Sequence, residues 1–202
     1  MTPKEYTTWF KENWQKTGAI VALFLTIYLV VIVLPQNTLT FALLMSTPLY
    51  MLHEIDEYIL PGGFAQFLNK NIYKTDPEKG LLDEGAVFWI NMVVWIALPL
   101  FSLWALTDLT QAAFMPYFFI LQALLHLVLG IFGKRILNPG MISAWLVHVP
   151  WGIWTIWLLM RAGVITNPYW NAYFLNGLEI IAAMGIAGLA LFIRYKRRQQ
   201  HS

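Results

Sequence analysis

Four ionisable side chains fall within five consecutive residues, His53, Glu54, Asp56 and Glu57, and Tyr58 and Pro61-Gly62-Gly63 follow. They close an apolar run over residues 41–52 that has the composition of a membrane-bound helix. Such a helix should avoid them, because each charge costs about 2.5–3.5 kcal/mol at the helix centre on insertion scales. On a helix turning 100° per residue, with His53 as the origin, Glu57 falls near 40°, Asp56 near −60° and Glu54 near 100°. One face therefore offers an imidazole and up to three carboxylates. Neutral imidazole with carboxylate is a donor set that suits zinc, iron or manganese. The same pair, His53 and Glu57 at i and i+4, could also serve without metal as an acid and a base held apart in pKa by burial. A plain polar network between helices is the third reading.

Other polar residues belong to the same question. His126, His148 and Asn91 each sit inside an apolar stretch. A single histidine in such a place is as often a helix-to-helix hydrogen-bond donor as a ligand. Clustered with Asp56 and Glu57, the histidines make a metal set of His53, Asp56, Glu57, His126 and His148, in which His53 and Glu57 do the chemistry and Asn91 orients water or substrate. The pattern is not the zinc-protease His-Glu-x-x-His, since position 57 is Glu. Glu54, the outermost of the four by angle, is expected to reach for the surface. Gln122, one turn before His126, is placed to hydrogen-bond it or to pack outward. Glu179 reads as a lone buried acid, with Arg161 as a candidate partner. Trp145, Trp151 and Trp154 recur at helical spacing around His148, so their indoles either wall an apolar pocket or pack against lipid.

The elements that must position these residues follow from composition. The chain has 202 residues, 58% of them hydrophobic and 12% charged, which is more apolar material than a soluble domain of this size can bury. A multi-pass all-α membrane bundle, one transmembrane domain over residues 1–202, is the expectation. The absence of cysteine excludes disulfides and thiolate metal sites. No basic stripe interrupts the chain before its tail, so nucleic acid is not an expected partner; a lipid bilayer and an apolar or lipid substrate are. Six spans are expected, over residues 18–34, 40–60, 85–106, 112–132, 139–160 and 172–193, preceded by an amphipathic N-terminal segment. Residues 64–74 place Phe64, Phe67, Leu68 and Ile72 opposite Gln66, Asn69, Lys70 and Lys74, the pattern of an interfacial helix.

Of the 13 lysines and arginines, all but Arg161 lie in the N-terminus, the 61–85 loop, the 134–140 loop or the tail. The positive-inside rule then puts both termini in the cytoplasm. His53 to Glu57, Asn91, His126 and His148 consequently share one depth, one to two turns inside the cytoplasmic face. Lysines and arginines alone fixed that topology, so the coincidence of the polar residues is independent of it.

With His53-x-x-Asp56-Glu57, Tyr58, Pro61-Gly62-Gly63-Phe64, His126 and Asn138-Pro139-Gly140 in view, the chain resembles the HXXEE-domain family of small bacterial multi-pass membrane proteins. The resemblance runs from the second expected span to the fifth. It departs at Asp56, which stands where the family motif has its first Glu, keeping the charge and shortening the reach by one carbon. That family has no settled activity, so the resemblance selects residues more than a reaction; it also implies a bacterial inner membrane. A weaker similarity, confined to an intramembrane His-x-x-x-Glu pair beside tryptophans, is to the emopamil-binding class of sterol isomerases. Together these readings lead to an intramembrane enzyme acting on a lipid or isoprenoid through a zinc or iron ion, by hydrolysis or oxygen chemistry. A metal-free isomerase or cyclase, and a proton-coupled transporter or binding protein, are its rivals.

Overall fold

A computed structural model describes residues 2–200, and every regular element among them is helical. The first helix, α1 (Pro3–Tyr28), starts with a capping box between Thr2 and Glu5 and bends at Asn13. It continues through a wider turn to Val33. The amphipathic N-terminal segment and the first expected span are thus one helix. Aromatic and lysine residues near a headgroup look the same whether a helix begins beyond them or runs through them.

The second expected span is divided into α2 (Thr38–Leu44), capped by Asn37, and α3 (Ser46–Tyr58). Pro48 explains the break: without an N–H it has no bond to give the Leu44 carbonyl, and its ring crowds that turn. Pro61, with Gly62 and Gly63 at φ of 72° and 86°, ends the element. The segment at 64–74, expected as an interfacial helix, is helical as α4 (Phe64–Phe67) and a wide turn, Leu68–Tyr73. Its Phe67 and Asn69 are buried, so it packs on the bundle as well as lying beside it.

Next come α5 (Glu84–Trp104), capped by Asp83, and α6 (Met115–Phe132), preceded by a short turn at Leu109–Ala112. The one-turn α7 (Met141–Ser143) runs through a wide turn, Ala144–His148, into α8 (Val149–Arg161). Pro150, which cannot continue the ordinary ladder, sits just past that wide turn. The last helix, α9 (Ala172–Gln199), is capped by Asn171.

Among the described residues, five helical stretches are long and apolar enough to cross a membrane: Pro3–Val33, Glu84–Trp104, Leu109–Phe132, Met141–Arg161 and Ala172–Gln199. Large apolar side chains such as Phe24, Val93, Ile131 and Ile186 point outward from them. That is the surface of a multi-pass membrane protein, since water would not tolerate so much exposed hydrocarbon. The core lies where α2, α3, α6 and α8 meet, around Leu43, Tyr50, Met115, Phe118, Phe119 and Leu159. Only Gly177 of α9 is buried; lacking a side chain, it lets that helix approach Tyr117 and Phe118 of α6. The polar residues of α3 are therefore enclosed from two sides, by α6 to α8 on one and by α1 and α5 on the other.

Candidate metal centre

His53, Glu57 and His126 converge. The Nε2 atom of His53 lies 3.4 Å from Glu57 Oε1, and the Nε2 atom of His126 lies 3.2 Å from the same oxygen. One ligand atom from each residue falls within 4.8 Å of the others, and all three residues are buried. Helix geometry supplies the first pair, one turn apart on α3. Gly140 allows the third to approach. At φ 89° it carries the backbone against the His126 ring, with a hypothetical Cβ 2.8 Å from Glu57 Cγ.

Hydrogen bonds behind the rings fix which nitrogen faces inward. The amide nitrogen of Asn138 donates to the carbonyls of His126 (2.9 Å) and Ile136 (3.2 Å). Its Oδ1 must therefore accept, and His126 Nδ1–H donates to it over 2.9 Å. On the other side, Ser143 donates its backbone N–H and its hydroxyl to Asp56 Oδ2, both at 2.8 Å. With its one hydrogen committed, the hydroxyl accepts from His53 Nδ1–H at 2.7 Å. Both imidazoles consequently turn Nε2 lone pairs towards Glu57. With both rings neutral, two lone pairs and a carboxylate meet with no hydrogen between them; either a proton on one ring or a bound cation satisfies such an arrangement.

The spacing agrees with the cation. Charge-assisted N–H···O bonds run about 2.7–2.9 Å, shorter than either separation here. Ligand bonds of about 2.0–2.1 Å at tetrahedral angles instead put neighbouring donor atoms about 3.3–3.4 Å apart. The two nitrogen-to-oxygen separations of 3.2 and 3.4 Å are close to such an edge, the two rings' ligand atoms lie within 4.8 Å of each other, and the donor set fits zinc or iron.

The other expected site residues lie around this trio. Asp56, expected as a ligand, is outside it, because its Oδ2 is taken by Ser143 and points to the far side of His53. His148 is also outside. Its ring stacks on Phe119 at 4.0 Å and lies 4.6 Å from the His53 ring, Nε2 faces the Leu49 carbonyl at 3.4 Å, and Nδ1 has no partner. Asn91 spends its amide on the Tyr58 hydroxyl (3.2 Å) and the Val87 carbonyl (2.9 Å), which leaves it bracing Tyr58. Phe64 covers the centre from α4, its ring centroid 5.1 Å from that of His126.

Glu54 departs furthest from expectation. It is 1% exposed, on the side of α3 opposite Asp56, with one oxygen accepting from the Trp95 indole and the other unpartnered. The angular argument set it towards the surface; α1 and α5 cover that side, where Trp95 also packs against Gly18 and Trp14. Replacing Trp95 with Phe removes the one side-chain donor that a buried carboxylate has among the described residues. We expect about 1–3 kcal/mol of lost stability, read as a lower thermal midpoint in detergent, with metal content unchanged.

Gln122 does not reach His126, and its Oε1 is unpartnered. Glu179 lies on the exposed side of α9, and Arg161 rests over Trp157 at 5.0 Å. The tryptophans pack outward: Trp151 donates to the Ala42 carbonyl at 3.1 Å, stands edge-on to Phe41, and with Trp154, Leu146, Val147 and Pro150 lines an external groove. Trp145 is exposed. Ser143 went unnoticed in the sequence, where serine is common and only its place one helical turn after Gly140 could have marked it.

A family model described as protein of unknown function with HXXEE motif matches residues 44–155, more than half of the chain. The matched segment contains the trio and its supports Asp56, Asn138, Gly140 and Ser143, and leaves out α1 and α9. No curated protein and no solved structure matches the chain.

Proposed function

The chain belongs to the family of proteins with an HXXEE motif, whose function is unknown, and from that premise we propose a membrane-embedded metalloenzyme. His53, Glu57 and His126 hold one zinc or iron ion, and the substrate is a lipid or isoprenoid that enters from the bilayer. The observation that carries this reading is the meeting of two Nε2 atoms, from rings held at Nδ1 by Ser143 and Asn138, with one buried carboxylate oxygen at 3.4 and 3.2 Å. A bound ion would acidify a water for hydrolysis or, as iron, support oxygen chemistry. Two imidazoles and one carboxylate serve both, so the identity of the metal selects the branch. Here Asn91 holds Tyr58 beside the site, His148 forms a wall against His53, and Phe64 shields the ion from water.

The proposed topology has six crossings, the α2–α3 segment being the sixth, with both termini cytoplasmic and the centre at the depth of the cytoplasmic leaflet of a bacterial inner membrane. Its support is the lysine and arginine distribution, in which Arg161 alone falls on the opposite side.

Elemental analysis of protein purified in detergent without chelator tests the metal. About one equivalent of zinc or iron per chain is expected, falling to background in both His53→Ala and His126→Ala. Background metal in the wild-type protein after reconstitution with either ion would remove this reading. The His53–Glu57 pair would then stand as a metal-free acid and base.

A further inference from the structure

Asp56 occupies the position at which the family motif carries its first Glu, and Ser143 stands between it and His53. We infer that Ser143 is a positioning residue that replaces the missing carbon: the Asp56–Ser143 pair does for the His53 imidazole what a glutamate at position 56 would do alone. For its effect on an ion, this inference rests on the metal reading above.

The geometry is specific. Ser143 Oγ lies 2.8 Å from Asp56 Oδ2 and 2.7 Å from His53 Nδ1. Two such bonds meeting at a tetrahedral oxygen leave the carboxylate oxygen and the ring nitrogen about 4.5 Å apart, beyond hydrogen-bond reach. One more carbon–carbon bond, about 1.5 Å, closes that gap to about 3 Å, an ordinary N–H···O distance. The hydroxyl thus spans the length by which aspartate is shorter than glutamate. The Ser143 backbone N–H, 2.8 Å from the same Oδ2, keeps the carboxylate aimed at the hydroxyl. Gly140, three residues earlier and in the left-handed region at φ 89°, sets the turn that brings Ser143 there. A carboxylate acting on a ligand's second nitrogen fixes the ring's tautomer and raises its basicity, and loss of such a partner typically costs about 10–100-fold in metal affinity.

The test uses the full chain in detergent, with two readouts: the ¹⁵N shifts of the His53 ring in chelated protein, and the Zn²⁺ dissociation constant by chelator competition. Ser143→Ala should lose the fixed Nδ1–H form and bind Zn²⁺ about 10–100-fold more weakly. Ser143→Thr, which keeps the hydroxyl, should retain both properties. Asp56→Glu/Ser143→Ala should restore the Nδ1–H form and regain about tenfold in affinity over Ser143→Ala alone. Asp56→Leu, similar in size and without an acceptor for the hydroxyl, should behave as Ser143→Ala does, and it decides the matter if the double variant does not fold. The inference is overturned if Ser143→Ala and Asp56→Leu keep the wild-type ring form and affinity, or if a folded double variant is no better than Ser143→Ala. Wild-type protein that takes up no Zn²⁺ would sink the metal reading instead, while the ring shifts would still decide what Ser143 does.

Discussion

Glu57→Gln should abolish metal binding and leave the metal-free protein at least as stable as the parent. Glu57 contributes the one anionic donor of the trio and the oxygen that both imidazoles face at 3.2 and 3.4 Å. Losing a partner behind a ligand costs about 10–100-fold in affinity, so losing the ligand itself should exceed about 100-fold. The stability effect has the opposite sign. In the chelated parent with both rings neutral, a buried carboxylate faces two lone pairs; the glutamine amide brings two N–H donors and no charge. Removing an uncompensated buried charge is neutral to stabilising, and each new hydrogen bond adds about 0.5–1.5 kcal/mol. Thermal unfolding in detergent, with and without Zn²⁺, separates the contributions. The parent should gain about 2.7 kcal/mol from metal at a hundredfold excess over its dissociation constant, and the variant nothing. A purely structural network predicts the reverse: the variant would be destabilised with chelator present, and metal would be irrelevant to both proteins.

The trio was legible because two simple regularities reach it. The i to i+4 spacing puts His53 and Glu57 on one face whatever surrounds the helix, and the charge asymmetry of the loops brings His126 to their depth. What such regularities do not contain is direction. Depth brought His148 to the site as well, yet stacking on Phe119 turns its nitrogens elsewhere. Helical angle brought Asp56 within one turn of His53, but its short side chain is captured by Ser143, a residue 87 positions away. Glu54 was misplaced for a related reason. An angle names a face, and whether that face meets lipid or protein depends on α1, whose packing against α3 no local pattern announces. The break between α2 and α3 was within reach of the sequence, since Pro48 is plainly there; an apolar run of the right length outweighed it. Trp151 and Trp154 show the limit of spacing arguments in a membrane protein, where an apolar stripe fits a pocket wall and a lipid-facing groove equally well.

Gly140 offers the sharpest test of whether the chain is built around the centre, because two distinct costs meet at one atom. At φ 89° any L-residue carries backbone strain, about 1–2 kcal/mol for the left-handed region. Gly163, at φ 73° with nothing within 4 Å of the point where a methyl would stand, would carry the strain alone. Gly163→Ala should therefore lose about 1–2 kcal/mol and keep its metal. In Gly140→Ala the added methyl would overlap His126 Cε1 and stand 2.8 Å from Glu57 Cγ and 3.0 Å from His126 Nε2. None of these atoms lies at the far end of a flexible chain. Both residues are buried, and the His126 ring is held from behind by Asn138. The methyl can be accommodated only by pushing the ring from Glu57 or by moving the turn that carries Ser143, and either movement pulls a ligand out of position. We expect overpacking to add about 1–3 kcal/mol to the strain and Zn²⁺ affinity to fall by about 100-fold or more, beyond the loss of a single supporting residue. The paired measurement is the thermal midpoint and the Zn²⁺ dissociation constant of both glycine variants. Equal loss of affinity in the two would mean that strain at a turn, and not contact with His126 and Glu57, governs the site, and the close approach of this loop would then have no part in holding a metal.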